Sequence, residues 1–178
     1  TVGVQGTGFG NVITNHIHAT INGSHKVSAA DFVDLSAMDS SSITSIAVSV
    51  AASGSVAVSA IVGANVITNS IWAGIADSTV TSGSTLDMDA ETKATVYALG
   101  TGVAASGVVS VQALIAANVI VDATSATITN STVDAGGAVS LTARNTSSID
   151  ALVVAVAASG TVAVTVPLVV NDITNTTE

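Results

Sequence analysis

Small and β-branched residues alternate along much of the chain. Val56, Val58, Ala60 and Val62 share one parity, and Ser55, Ala57, Ser59 and Ile61 the other. That is the period of two that a strand imposes on its side chains. The run Val162, Val164, Val166 repeats it. Turn residues punctuate the runs: "NGS" at 22–24, "TSGS" at 81–84, "AGG" at 135–137, and "AASG" at 51–54, 104–107 and 157–160. Valine and isoleucine favour strands, and the helix formers Glu, Lys and Arg are scarce. The chain is expected to be all-β.

The strands recur. "NVITN" stands at 11–15 and 65–69, and echoes as "NVIVD" at 118–122 and "NDITN" at 171–175. With Asn11, Asn65, Asn118 and Asn171 as origins, Val2, Val56, Val109 and Val162 align nine residues earlier. Ile13, Ile67, Ile120 and Ile173 align two residues later. The units are 11–64, 65–117 and 118–170, with partial units at 1–10 and 171–178 in a single domain over 1–178. The first unit's extra residue falls between Ser24 and Val27, where a turn would absorb it. A fixed period with phase-locked apolar columns signals a solenoid, whose units bury themselves against their neighbours. The strand texture makes this a parallel β-helix (β-solenoid) of ~53-residue tandem repeats; a globular sandwich is the runner-up. A coil of such a helix takes about 18–27 residues, so each unit is expected to make two or three coils. NVITN is then a corner and first inward strand. Asn15, Asn69, Asp122 and Asn175, like the origin asparagines, would cap turns or form amide ladders.

Charge narrows the function. Charged residues make up 8% of the chain, against roughly 25% in ordinary soluble domains. Twelve acids face only Lys26, Lys93 and Arg144, a net charge of −9. This excludes the basic patches that nucleic acids or anionic lipid surfaces require. Segments 42–67, 94–121 and 151–171 are uncharged, but interleaved Ser, Thr and Gly without an aromatic belt or basic flanks argue against membrane insertion. With no cysteine, thiol chemistry is excluded. The acids Asp31, Asp34, Asp39, Asp77, Asp87, Asp89, Glu91, Asp122, Asp134 and Asp150 cluster between NVITN and the next apolar run. A stack in register would therefore have an acidic side and a neutral one. In the neutral segments, as in "ALVVAVA" at 151–157, both strand faces are apolar, so lateral self-association is expected. The chain opens and closes mid-unit in the same phase: "TVGVQGTGFGNVITN" aligns with "TVAVTVPLVVNDITN". A segment of a longer array, or a subunit stacking end to end, is expected.

Candidate chemistry is sparse. "DMDAE" puts Asp87, Asp89 and Glu91 on one strand face, a candidate oxygen set for Ca²⁺. The equivalents in the other units are Asp34, Ser36 and Met38, and Ser140, Thr142 and Arg144, so the site does not recur. His16 and His18 share a face with His25 nearby, and lack a fixed third ligand. No catalytic triad or phosphate loop recurs, so no enzyme and no cofactor beyond possible Ca²⁺ is expected.

The stretches "STVDAGGAVSLTA" at 131–143 and "AASGTVAV" at 157–164 resemble repeats of large bacterial surface exoproteins, the filamentous-haemagglutinin and leukotoxin-type filamentous adhesins. That resemblance implies a secreted, right-handed parallel β-helix displayed on the bacterial cell surface as a fibre for attachment or aggregation. It carries no catalytic motif, secretion domain or receptor-binding insertion. Two classes of function follow. The first is a structural, fibre-forming extracellular solenoid, either an adhesin shaft or a filament subunit. The second is a ligand-binding module using its acidic face for calcium or a surface polymer. An ice-binding array would need repeated Thr-x-Thr, and Thr79/Thr81 becomes Thr132/Asp134 in the next unit.

Overall fold

The computed structural model describes residues 1–178. In chain order the strands are β1 (Val2–Asn22), β2 (Val27–Ala29), β3 (Val33–Asp39), β4 (Ser42–Ser53), β5 (Val56–Ala76), β6 (Thr79–Ser82) and β7 (Leu86–Thr92). Then follow β8 (Thr95–Ser106), β9 (Val109–Thr129), β10 (Thr132–Ala135), β11 (Val139–Asn145), β12 (Ser148–Ser159) and β13 (Val162–Thr177). There is no helix. Only short turns separate the strands, because the Gly, Ser and Asn punctuation reverses the chain within a few residues.

Equivalent strands of successive units pair in parallel and in register. One sheet is β1-β5-β9-β13; the others are β2-β6-β10, β3-β7-β11 and β4-β8-β12. Asn11 lies beside Asn65, Asn65 beside Asn118, and Asn118 beside Asn171. The offset falls from 54 (Asn22 with Ala76) to 53 (Val27 with Val80), so the extra residue lies in the turn between β1 and β2. A left-handed turn residue recurs at one place in each unit: Gly23 (φ 62°), Asp77 (φ 49°) and Asn130 (φ 45°). Glycine, Asn and Asp are the residues that tolerate this conformation. The architecture is all-β with parallel strands stacked in sheets, consistent with a β-helix or solenoid.

Each unit adds one strand to each of four sheets, and no strand pairs with another of its own unit. Two or three coils per unit is therefore incorrect. The long strand of a unit runs for 21 residues without a corner, about 70 Å at the usual strand rise. Two of the three shorter strands, here β7 and β8, return along its inner side, and the shortest, β6, lies beyond its end. Ser59 Oγ meets Ser49 Oγ at 2.7 Å, Asn65 Nδ2 meets Ser45 Oγ at 2.8 Å, and Asn69 Nδ2 meets Asp39 Oδ2 at 3.0 Å. Partner numbers fall as the long strand advances, so the two layers lie face to face. Side chains as small as Ala and Ser let them close without the wider interior that a shorter coil encloses. NVITN is accordingly no corner: Asn65–Asn69 sits mid-strand in β5.

Odd positions of β5 point inward. Ala57, Ser59, Ile61, Asn65, Ile67, Asn69, Ile71, Ala73 and Ile75 are all buried. The core between the layers comes in four parts. The largest gathers Ile71, Ile75, Val80, Leu86, Met88 and neighbouring alanines. Next come Ile43, Ile67, Val96 and Ile120, then Ala47, Ile61, Leu114 and Ala116, and finally Ala51, Ala57 and Ala104. Volume is conserved locally between layers. Where β4 and β5 oppose Ser49 to Ser59, β8 and β9 oppose Gly102 to Gln112. A Cβ on Gly102 would overlap the Gln112 amide, and one on Gly100 would sit 2.9 Å from Leu114 Cδ1.

Candidate functional site

Polar rows separate the apolar parts of the core. The first is the ladder of origin asparagines. Asn11 Nδ2 donates to Asn65 Oδ1 (2.9 Å), Asn65 Nδ2 to Asn118 Oδ1 (2.8 Å), and Asn118 Nδ2 to Asn171 Oδ1 (2.8 Å). Asn65 and Asn118 are fully buried. In-register stacking brings identical amides one strand spacing apart, and each has the donor that its neighbour's carbonyl needs. Of the two roles open to these residues, laddering is the one seen, because no turn lies near them.

The second row lies four residues on, at Asn15, Asn69, Asp122 and Asn175, and faces Asp39, Thr92 and Asn145. Asp122 sits in the ladder row that its alignment with Asn15, Asn69 and Asn175 suggests, but neither it nor Asp39 belongs to the acidic side: they are 2% and 7% exposed. Their parity explains it: each falls on the inward side of its strand. Hydrogen bonds to the carboxyl oxygens offset the cost of burial. Asp39 accepts from Asn15 Nδ2 (2.7 Å), Asn69 Nδ2 (3.0 Å), and the amide and hydroxyl of Ser41 (3.1 and 2.9 Å). Asp122 accepts from Asn69 Nδ2 (3.0 Å), Asn145 Nδ2 (3.1 Å) and Ser147 Oγ (2.6 Å). A carboxylate has no donor to pass along a ladder, so Asn175 turns to Asn145 Oδ1 instead (3.0 Å). Asn69 Oδ1 is left buried without a partner. Thr92 and Thr124 share a hydroxyl–hydroxyl bond of 2.7 Å between the two carboxylate levels. Asp39, Thr92 and Asn145 share one register column, so a recurrent polar residue at inward parity was the sequence signal for the row.

Outside, the pattern is inverted. On β4 the inward residues are Ser45, Ala47, Ser49 and Ala51, while the larger Ile46 (68% exposed), Val48 and Val50 point to solvent. Register stacks Ile46, Leu99 and Leu152 in one column, and Val50, Val103 and Val156 in another. In "ALVVAVA", Leu152 and Val154 face out and Val153 packs inward. An open groove of about 430 Å³ runs beside the first column, edged by Thr44, Ile46, Tyr97, Leu99, Asp150 and Leu152.

No protein-family model, no curated protein and no solved structure matches this chain.

Asp87, Asp89 and Glu91 occupy alternate outward positions of β7, half-buried, with Thr85 Oγ1 donating to Asp87 (2.8 Å). Alternate strand residues stand about 6.6 Å apart, and no group of three His, Cys, Asp or Glu side chains converges in a way that could hold a metal ion. His16 and His18 are exposed on the outward face of β1. His18 meets the Trp72 ring edge-on (5.6 Å, 80°), and Trp72 Nε1 donates to Thr127 Oγ1 (2.9 Å). His25 lines a separate polar groove with Asp77 and Asn130, whose side chains are hydrogen-bonded. No helix is long and apolar enough to cross a membrane.

Proposed function

We propose that the chain is a structural, fibre-forming extracellular β-solenoid, serving as an adhesin shaft or as a subunit of a surface filament. One observation carries this: every unit adds one in-register strand to each of four parallel sheets. Repeating such a unit lengthens the stack and leaves its cross-section unchanged. The axial hydrogen bonds of the ladders resist stretching, and the buried amide rows lock each layer onto the next. The likeness of "STVDAGGAVSLTA" to repeats of filamentous-haemagglutinin and leukotoxin-type adhesins supports placement on a bacterial cell surface. The flat cross-section sets a scale. At about 4.8 Å per layer, a fibre of about 1,000 Å takes roughly 200 units, which calls for a very long chain or many assembled ones.

The test is to build chains carrying three, six and twelve copies of unit 65–117 and measure them by small-angle X-ray scattering. The expected result is a constant cross-section with a length that grows by about 4.8 Å per added unit. Growth in all dimensions, as for a closed globule, would sink the proposal.

A further inference from the structure

The outward face of β4, β8 and β12 is unpaired, apolar and free of charge over most of its extent. We propose that it is the docking surface for a second copy of this chain, the two faces meeting side to side. This docking rests on the structural role proposed above, and it names the face through which stacks would join laterally.

Four observations point to another copy. First, parallel sheets are stable where both faces are covered, and the interior covers only the side of Ser45, Ala47, Ser49 and Ala51. Ile46, Val48, Val50, Leu99, Leu152, Val154 and Val156 remain exposed.

Second, this is where a chain of net charge −9 can approach itself. The outward side chains of β4 carry no charge, and Asp150 is the one acid on the outward faces of β8 and β12. It stands at the end of the face nearest β3 and β7, which carry Asp34, Asp87, Asp89 and Glu91, and β11, which carries Arg144. Like charges therefore lie at the rim, where water screens them.

Third, the size fits. Twelve residues by three strands give a face of about 40 × 14 Å, so two copies bury on the order of 1,000 Å² in total, the lower bound of specific interfaces. Each further unit adds about 190 Å² per copy, so the contact strengthens as stacks lengthen.

Fourth, hydrocarbon is a poor alternative occupant. The edge strands β4 and β12 carry unpaired backbone groups in this chain, and a bilayer has no partner for them. A facing stack leaves them in water. The long sheet's outward face is less suited. Its first level reads Val4, Gly6, Gly8, Gly10, Val12 at the outward positions, leaving a gap where β4 presents Ile46, Val48 and Val50.

The experiment is sedimentation equilibrium of the 178-residue chain and of single variants across a wide concentration range. Circular dichroism and melting would confirm that each is folded. Ile46→Asp and Leu152→Asp place a carboxylate in the face at two of its most exposed positions, so at least one is expected to fold normally. Val62→Asp on the long sheet's outward face, and Ser70→Asp, add the same charge elsewhere. The expected result is association of the parent in the micromolar range. It should be weakened roughly 100-fold by either face variant, the consequence of an unpaired charge in an apolar contact, and be nearly unchanged by the two controls. A parent that stays monomeric, face variants that associate like the parent, or a loss caused by Val62→Asp would each overturn the docking. So would a monomer that floats with neutral phosphatidylcholine vesicles and loses that property on Ile46→Asp, which would assign the face to lipid. Single-width stacks that lengthen with unit number but never pair would remove the docking while leaving the structural role intact.

Discussion

Replacing Asn65 by Ala should be among the most damaging single changes in the chain, although it removes one small polar side chain. Asn65 accepts from Asn11 (2.9 Å) and donates to Asn118 (2.8 Å) and Ser45 Oγ (2.8 Å). Alanine keeps the strand and its alternation, so the loss is local. Asn11 is exposed and recovers its lost acceptor from water; Asn118 and Ser45 are buried and do not. Each buried polar group left unpaired costs about 1–3 kcal/mol, so the expected loss is roughly 2–5 kcal/mol. The control is Asn171→Ala at the far end of the same ladder. Asn171 is exposed at the end of the ladder and accepts a single bond from Asn118; truncating it opens the Asn118 amide to water, so the loss should stay near ~1 kcal/mol. Urea denaturation followed by circular dichroism measures both. In thermal melts the gap between the two variants, about 1–4 kcal/mol, corresponds to roughly 2–16 °C for a chain of this size. Equal effects of the two alanines, or a loss at Asn65 below about 1 kcal/mol, would refute the idea that ladder amides matter through burial.

The Gly102–Gln112 pair offers a double-mutant test. Gly102→Ser alone should cost about 1–3 kcal/mol through overlap with the Gln112 side chain. Combined with Gln112→Ser it rebuilds the Ser49–Ser59 pair, so a favourable coupling of at least 1 kcal/mol or so is expected, and simple additivity would count against the volume argument. Calcium can be tested by melting alone. A site of about 50 µM affinity would add ~2.7 kcal/mol at about 5 mM Ca²⁺, whereas outward carboxylates spaced as Asp87, Asp89 and Glu91 are should shift the melting temperature by less than about 1 °C. Replacing Asn11, Asn65, Asn118 and Asn171 together by Val, with Ser45→Ala, should leave stability within about 2 kcal/mol of the parent. The amide NMR spectrum of that variant should split into several sets as register is lost, and one sharp set would refute a register role for the row.

Much of the fold was legible because in-register stacking writes itself into sequence as phase-locked columns. The Val, Ile and Asn columns at offsets of 54, 53 and 53 are the strand pairs of the structure. The number of strands per unit and the position of NVITN were not legible. Alternation is the same in a strand of 6 residues and one of 21, and small turn residues also occur inside strands, as Gly6, Gly8 and Gly10 do in β1. At the long valine run alternation alone does not say which face is inward. Val56, Val58 and Val62 point outward while Ala57, Ser59 and Ile61 line the interior, the reverse of the usual large-inside rule. At this end of the coil the two layers leave room mostly for small side chains, Ala47, Ala51, Ala57 and Ser59 among them. The same parity hid Asp39, because in a chain this acidic one more carboxylate reads as surface, whereas Asp122 was legible from its column with Asn15, Asn69 and Asn175.

That thin interior explains why buried polar rows are present at all. Alanine and serine columns discriminate poorly between registers: a slip of two residues keeps every inward residue inward and exchanges Ala47 or Ser49 for near equivalents. The amides tolerate no such slip. Shifting one layer by two residues sets Asn65 against Ala116 or Ile120, and Asn69 against Ile120 or Thr124, in place of Asn118 and Asp122. Losing both contacts with the groups still buried costs on the order of 2–6 kcal/mol per junction, enough to hold a single register at each one. Stability in such a stack can come from many weak apolar contacts, but one register has to be chosen again at every layer. The polar rows supply that choice, which is why Asn11, Asn65, Asn118 and Asn171 recur without change.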